Sequence, residues 1–351
     1  MEKVGKEMIN QKESKSTSSQ HNYAVSTIPT VSIIMNCLNG EKYLKEAIDS
    51  IYAQTYTDWE IIFYDNGSTD RSADIAKSYD NRLRYFRGEE TVLLYAARNL
   101  ALKQARGRYI AFLDTDDLWL PKKLEWQVPL IENDGRIGLV HSNCEMFEES
   151  GSITNLHRND KHLSGRIFRK LLRQYNIALI TVMISRKVLD SMDEWFDSSL
   201  NLAGDADLFL RIAHEWNIKY LPRVTAVYRK HGENLSLKCA ESVPVEIEYI
   251  IGKFSKLYKD FGKEYEMEII DLRMRAQKGL IVSKWKSGKN WEARRLALRH
   301  LRAMCPFVLV WLLSFFPYKV ISFVRNSMLW QYAVKLYKTI TAFLSHIKIR
   351  L

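Results

Sequence analysis

Cysteine is scarce in this sequence and poorly placed for any framework. Its four copies, Cys37, Cys144, Cys239 and Cys305, lie far apart, with no CxxC and no histidine at metal spacing. That excludes a disulfide-stapled fold and a zinc site, and a reducing cytosol is the simplest compartment. Glycine-rich phosphate loops are missing too. No GxGxxG, and no GxxxxGK followed by Ser or Thr, comes after any apolar run, so an ordinary dinucleotide or P-loop site is excluded. The opening stretch MEKVGKEMINQKESKSTSSQHN holds no apolar core of the kind that a secretory signal or anchor needs. Its Lys, Glu, Ser and Gln content implies a disordered tail over 1–30. No internal repeat is present, and no zinc-finger or RNP-like motif points to nucleic acid.

What is present is a globular composition. The 351 residues are 46% hydrophobic and 26% charged, enough for one large core or two smaller ones. The net charge of +11 is uneven: residues 271–351 carry sixteen Lys/Arg against two acids, a local +14, which leaves about −3 for the rest. Any polyanion is met by the C-terminal third.

From Val31 onward, apolar runs alternate with helical periodicity. VSIIM is followed by Leu44, Ala47, Ile48 and Ile51 on one helical face, then by the run WEIIFY. The alternation predicts helices near Ser72–Tyr79, Tyr95–Ala105 and Lys122–Glu132, with strands at LRYFR, YIAFL and IGLVHSN. Such a pattern gives a mostly parallel central sheet covered by helices, with ligands at the C-terminal strand ends. Further on, a helix near Ile167–Arg173, a strand ALITVMIS, a helix starting near Asp205 and a strand YLPRVTAVYRKHG are expected. From Val243 to Arg302 the pattern is helical and basic.

The stretch YIAFLDTDDLWLP poses the chemical question. It places three carboxylates, Asp114, Asp116 and Asp117, within four positions at the end of an apolar strand. Charges this close resist joint ionisation unless a cation or strong donors are present. Oxygen ligands beside a phosphate crevice suit Mg2+ or Mn2+. A helix cap would account for one carboxylate, not three. Two polar loops, with Asn36, Asn39 and Gly40 after the first strand and YDNGSTD after the second, form the facing crevice.

These residues resemble the nucleotide-binding half of the family 2 glycosyltransferases, which have the GT-A fold. The stretches are VSIIMNCLNGEKYLKEAIDSIYAQTYTDWEIIFYDNGSTD and ARNLALKQARGRYIAFLDTDD, and the likeness runs from about Val31 to Asn143. The resemblance implies that the DXD element, Asp114, Thr115 and Asp116 with Asp117 beside it, binds a Mn2+ or Mg2+ ion on the diphosphate of a nucleotide sugar. It further implies that Asp65 and Asn66 face the base and that Asn39 and Arg98 lie at the nucleotide. The first loop departs from the family's Pro-Thr-Tyr-Asn, with Leu38 where an aromatic residue usually stands. LAGDADLFLRIA resembles the catalytic-base element, which puts Asp205 at the base and Gly204 where a Glu is usual. Without the family, Asp205 would read as a helix cap. YRKHGENLS resembles a closing segment whose histidine, His231, completes the metal site.

The expected activity is therefore metal-dependent, inverting transfer of a sugar, from a UDP-sugar first of all, to a saccharide acceptor. A non-catalytic nucleotide-sugar-binding protein is the alternative, and a sugar-phosphate nucleotidyltransferase a more distant one. The expected organisation is a donor half over 31–145, an acceptor half over 146–240, a basic helical region over 241–302 and membrane-associating helices over 303–351. The run AMCPFVLVWLLSFFPY would reach ~24 Å as a helix, short of a ~30 Å hydrocarbon core. With the amphipathic face from Leu329 to Ile347, it implies peripheral attachment to an anionic cytoplasmic membrane face and a lipid-linked acceptor.

Overall fold

The computed structural model describes residues 28–148, 151, 153–155 and 164–300. The expected tail over 1–27 and the membrane-associating segments over 303–351 lie outside the described residues. Thr30, assigned to the tail, instead belongs to the fold: it is buried, and its hydroxyl donates to Asp58 at 2.5 Å.

The first half alternates as the periodicity requires, through β1 (Val31–Cys37), α1 (Glu41–Tyr52), β2 (Trp59–Asp65), α2 (Ser72–Lys77), β3 (Leu83–Arg87), α3 (Leu94–Gln104) and β4 (Tyr109–Phe112). Neighbouring side chains of one strand enter different cores: Ile34 packs with Tyr95 and Phe112, and Ile33 with Phe63 and Ala111. Both faces of the sheet are thus covered, which is why these strands read as continuous apolar runs.

The second half contains β5 (Leu118–Trp119), α4 (Lys123–Glu132), β6 (Ile137–Glu148), β7 (Ile153–Asn155), α5 (Phe168–Arg173), β8 (Met183–Ser185), α6 (Arg186–Asp190), α7 (Gly204–Glu215) and β9 (Asn217–Lys230). Helices α8 (Leu235–Lys238), α9 (Val243–Leu257), α10 (Phe261–Glu264), α11 (Glu266–Lys286) and α12 (Asn290–His300) follow.

Sheet order is β3-β2-β1-β4-β8-β6-β9-β5, with β7 against β6. The expected mostly parallel sheet is in fact mixed. Strands β3, β2, β1 and β4 are parallel, whereas β8 lies antiparallel between β4 and β6. ALITVMIS is not one strand either. Leu179–Thr181 coils as a short 3-10 turn because the carbonyls of Ile180 and Thr181 are taken by the Trp119 indole and the Gln127 amide, leaving only Met183–Ser185 to pair.

Candidate active site

Because β1, β2 and β4 run parallel, their C-terminal ends open on one side of the sheet. There the Asn66 amide N–H donates to the Cys37 carbonyl at 2.8 Å, joining the two expected loops. Asn39 adopts a left-handed conformation, φ 55°, and its side chain accepts the Thr69 N–H. Gly40 fits closely: a Cβ there would come within 2.9 Å of the Thr115 hydroxyl. Asn36, buried at the end of β1, has no partner for either amide atom among the described residues.

Asp65 is fully buried. Its carboxylate accepts from the Tyr85 hydroxyl at 2.6 Å, from Arg87 at 2.9 Å and from the Ser68 N–H at 2.7 Å. These bonds overcome the effect of burial and hold its pKa below the ordinary value. Asn66 closes a reciprocal pair with the Val92 main chain, at 2.8 and 3.1 Å. Both residues line the crevice loop, but their side chains brace it.

The three carboxylates after β4 separate by partner. Asp114 Oδ1 accepts from Arg98 Nη2 at 2.6 Å. Asp116 Oδ2 lies 2.9 Å from His231 Nε2 and 3.1 Å from Asn234 Nδ2. Asp117 Oδ1 accepts the Arg229 N–H at 2.8 Å, while its buried Oδ2 has no partner among the described residues. The meeting of residues over a hundred positions apart follows from register: β5, directly after Asp117, pairs with β9 through Leu118↔Val227 and Trp119↔Ala226. Burial, and then the charges of neighbouring aspartates, pushes the carboxyls of both Asp116 and Asp117 upward. Carboxylate oxygens, one of them buried and unpartnered among the described residues, are the donor type a hard divalent cation takes, with the His231 nitrogen beside Asp116. Their ligand atoms are not drawn together within 4.8 Å as those of Glu194, Asp197 and Asp207 are. None of the three acids after β4 caps a helix: the residue before α4 is Lys122, and no side chain caps it.

Asp205 stands in the first turn of α7, half-buried. Its Oδ1 accepts the Ala206 N–H at 2.8 Å, and the Tyr95 hydroxyl is 3.4 Å away. Burial pushes its carboxyl up to about 6, against the opposing charge of Arg98. The helix cap is Ala203, without a side-chain bond. Arg98 connects the two acidic groups: it is buried, bonds Asp114, and lies 5.2 Å from the Tyr95 ring.

Sequence reasoning missed several residues here. Tyr43 on α1 lies between the Arg229 guanidinium, at 4.3 Å, and the His231 ring, at 5.1 Å. Tyr175 is partly buried beside Asp205, and its phenol is pushed well up by burial and then by that charge. Glu246 on α9 accepts the N–H groups of Asn201, Leu202 and Ala203 at 3.2, 3.0 and 2.8 Å, fixing the segment that leads into Asp205. None carries a motif of its own. A second acidic trio, Glu194, Asp197 and Asp207, already holds its cation, for Lys253 Nζ lies 2.5, 2.8 and 3.1 Å from the three carboxylates.

The family model described as Glycosyl transferase family 2 matches residues 32–190. An uncharacterized glycosyltransferase of Methanocaldococcus jannaschii is 33% identical over 207 residues, 57% of this chain and 71% of that protein. The UDP-Glc:alpha-D-GlcNAc-diphosphoundecaprenol beta-1,3-glucosyltransferase WfgD of Escherichia coli is 33% identical over 161 residues, 46% of this chain and 62% of its own length. Among solved structures, the mannosyltransferase PcManGT of Pyrobaculum calidifontis, in complex with GDP-Man and Mn2+, has a TM-score of 0.56 at 17% identity. It covers 92% of this chain and 88% of its own, a likeness of fold.

Proposed function

This chain belongs to glycosyl transferase family 2, and on that premise we propose that it moves a sugar from a nucleotide-sugar donor to a saccharide hydroxyl by direct displacement, with Asp205 as general base. The observation that carries this is the line Asp116–Asp114–Arg98–Tyr95–Asp205. It runs from an acidic cluster at the strand ends to a half-buried carboxyl poised near neutrality.

In this reading Asp205 takes the proton of the acceptor hydroxyl as that oxygen attacks the anomeric carbon. The nucleoside diphosphate leaves from the opposite face, so a single displacement inverts the configuration. Asp114, Asp116 and Asp117, with His231 beside them, would hold a Mn2+ or Mg2+ ion, which when bound supplies positive charge to a leaving diphosphate. Asn39, Asp65, Asn66 and Thr115 form the walls of the nucleotide crevice. A UDP-sugar and a lipid-linked saccharide are the first choices because WfgD, by its name, uses UDP-Glc and a diphosphoundecaprenol-linked acceptor. The exposed Leu38 in the first loop keeps thymidine and guanosine diphosphate sugars as alternatives.

Release of nucleoside diphosphate, assayed with UDP-glucose, thymidine diphosphate glucose and GDP-mannose in turn, tests the activity. We expect release from one of them with Mn2+ and its loss in EDTA. No release from any, with retained binding, would favour the non-catalytic alternative.

Membrane attachment is the second part of the proposal. Among the described residues no helix is long and apolar enough to cross a membrane. On α12, however, Trp291, Arg295, Leu298 and Arg299 are exposed at positions i, i+4, i+7 and i+8, with Trp291 65% and Leu298 49% accessible. An aromatic and an aliphatic side chain flanked by arginines suit the headgroup region, where each basic residue contributes ~1 kcal/mol on an anionic surface. The face also leads straight into the basic, apolar sequence that follows residue 300. Replacing Trp291, Arg295 and Leu298 together by Ser in the full chain should reduce flotation with phosphatidylglycerol vesicles several-fold at low salt. Unchanged flotation would remove α12 from the surface that meets lipid.

A further inference from the structure

Gly204, the residue before Asp205, has a steric reason that lies on another helix. A Cβ built on Gly204 would fall 2.6, 2.6 and 2.7 Å from three ring carbons of Tyr95 on α3. These are distances that real Cβ atoms essentially never show, and the ring is held on every side. Tyr95 is 2% exposed and stacks on Phe196 with centroids 5.3 Å apart. Its hydroxyl donates to the Leu202 carbonyl at 2.8 Å. Phe196 is fixed in turn by two bonds between its main chain and the Asn99 amide, at 2.7 and 3.1 Å. The Leu202 peptide is therefore gripped from both sides, its carbonyl by Tyr95 and its N–H by Glu246 at 3.0 Å.

That grip orients the acid. The Ala206 N–H donates to Asp205 Oδ1 at 2.8 Å, and the Tyr95 hydroxyl, whose proton goes to the Leu202 carbonyl, stands 3.4 Å from the same oxygen, with the Tyr175 phenol also beside the carboxyl. We propose that Tyr95 is a positioning residue for Asp205, and that Gly204 is glycine because the Tyr95 ring occupies the space of any side chain there. Two residues 109 positions apart then act as one device. Tyr95 sets the height of the chain entering α7 and the rotation of the carboxyl, and Gly204 lets the ring reach it. The inference rests on the reading of Asp205 as the base only in what the device is for.

Two double-mutant cycles read by thermal melting need no substrate. The first pairs Gly204→Ala with Tyr95→Ala. With Tyr95 present, Gly204→Ala should lower Tm by roughly 1–4 °C, the range that overpacking gives in a chain of this size. In the Tyr95→Ala background the same change should be neutral or stabilising, since alanine favours a helix. An equal loss in both backgrounds would overturn the pairing. The second cycle pairs Tyr95→Phe with Asp205→Asn and remains informative if Tyr95→Ala fails to fold. Non-additive Tm shifts are expected, because the hydroxyl and the carboxyl interact. Additive shifts would mean that Tyr95 serves packing alone and would overturn the positioning role. Full turnover by Asp205→Asn alongside a non-additive cycle would refute the base assignment while leaving the device intact.

Discussion

Asp205→Asn should cut turnover by ~10² to 10⁴-fold, the usual contribution of general base catalysis, and should melt at a higher temperature than the wild type at pH 8. Both effects come from the same burial. The carboxyl is pushed up to about 6 in the folded chain, so the native state holds its proton more tightly than the unfolded state. Stability therefore falls as pH rises from about 4 to 6, and the whole penalty is present above that window. Asparagine has no charge to desolvate. Two pH units correspond to ~3 kcal/mol, which partial exposure reduces to roughly 1–2 kcal/mol. The stability gain should shrink toward pH 4 and vanish below about pH 3, where both states are protonated. Wild-type turnover should rise with pH through an apparent pKa near 6, as the base loses its proton. A variant that keeps full turnover, or a wild-type profile flat from pH 5 to 8, would contradict the assignment.

Arg98→Met should damage both ends of the site at once. The guanidinium is 5% exposed and bonds Asp114 at 2.6 Å, so its removal leaves a carboxylate without its partner. Because Asp114 reaches water, the cost should be ~1–3 kcal/mol, below that of breaking a wholly buried pair. The charge of Arg98 also opposes the effect of burial on Asp205. Without it, the acid limb of the pH–rate profile should move up by roughly one unit. Arg98→Lys keeps the charge but not the planar fork, and should fall between the two. A limb that stays in place in Arg98→Met would show that Arg98 acts only on the donor side.

The alternation of the first half was legible because strands buried on both faces read as apolar runs and α1 shows a clean apolar stripe. The acidic cluster was legible as charge that a buried strand end does not carry without cause. What escaped depends on contacts distant in sequence. Strand β5 has two residues, too few for any periodicity, yet its pairing with β9 carries Arg229 to Asp117, and brings to Asp116 the His231 that only the family resemblance had pointed to. Tyr95 and Glu246 look like ordinary helical residues until the segment at 201–203 is placed between them. In the same way, Asp65 reads as a free turn carboxylate, and only the pairing of β2 with β3 brings Tyr85 and Arg87 onto it. The mixed order of the second half was hidden because β8, at three residues, is too short to announce its direction.

The division of labour in the crevice is tested most directly by calorimetric titration of UDP with Mn2+ into the full chain and two variants, repeated with thymidine and guanosine diphosphates. The wild type and Asp205→Asn should bind one of the three diphosphates with similar affinity, since the base is not needed to hold the leaving group. Asp116→Ala should bind it at least ten-fold more weakly, by loss of a metal-holding carboxylate. Equal binding by Asp116→Ala, or loss of binding in Asp205→Asn alone, would contradict the separation of donor site and base on which the proposed mechanism stands.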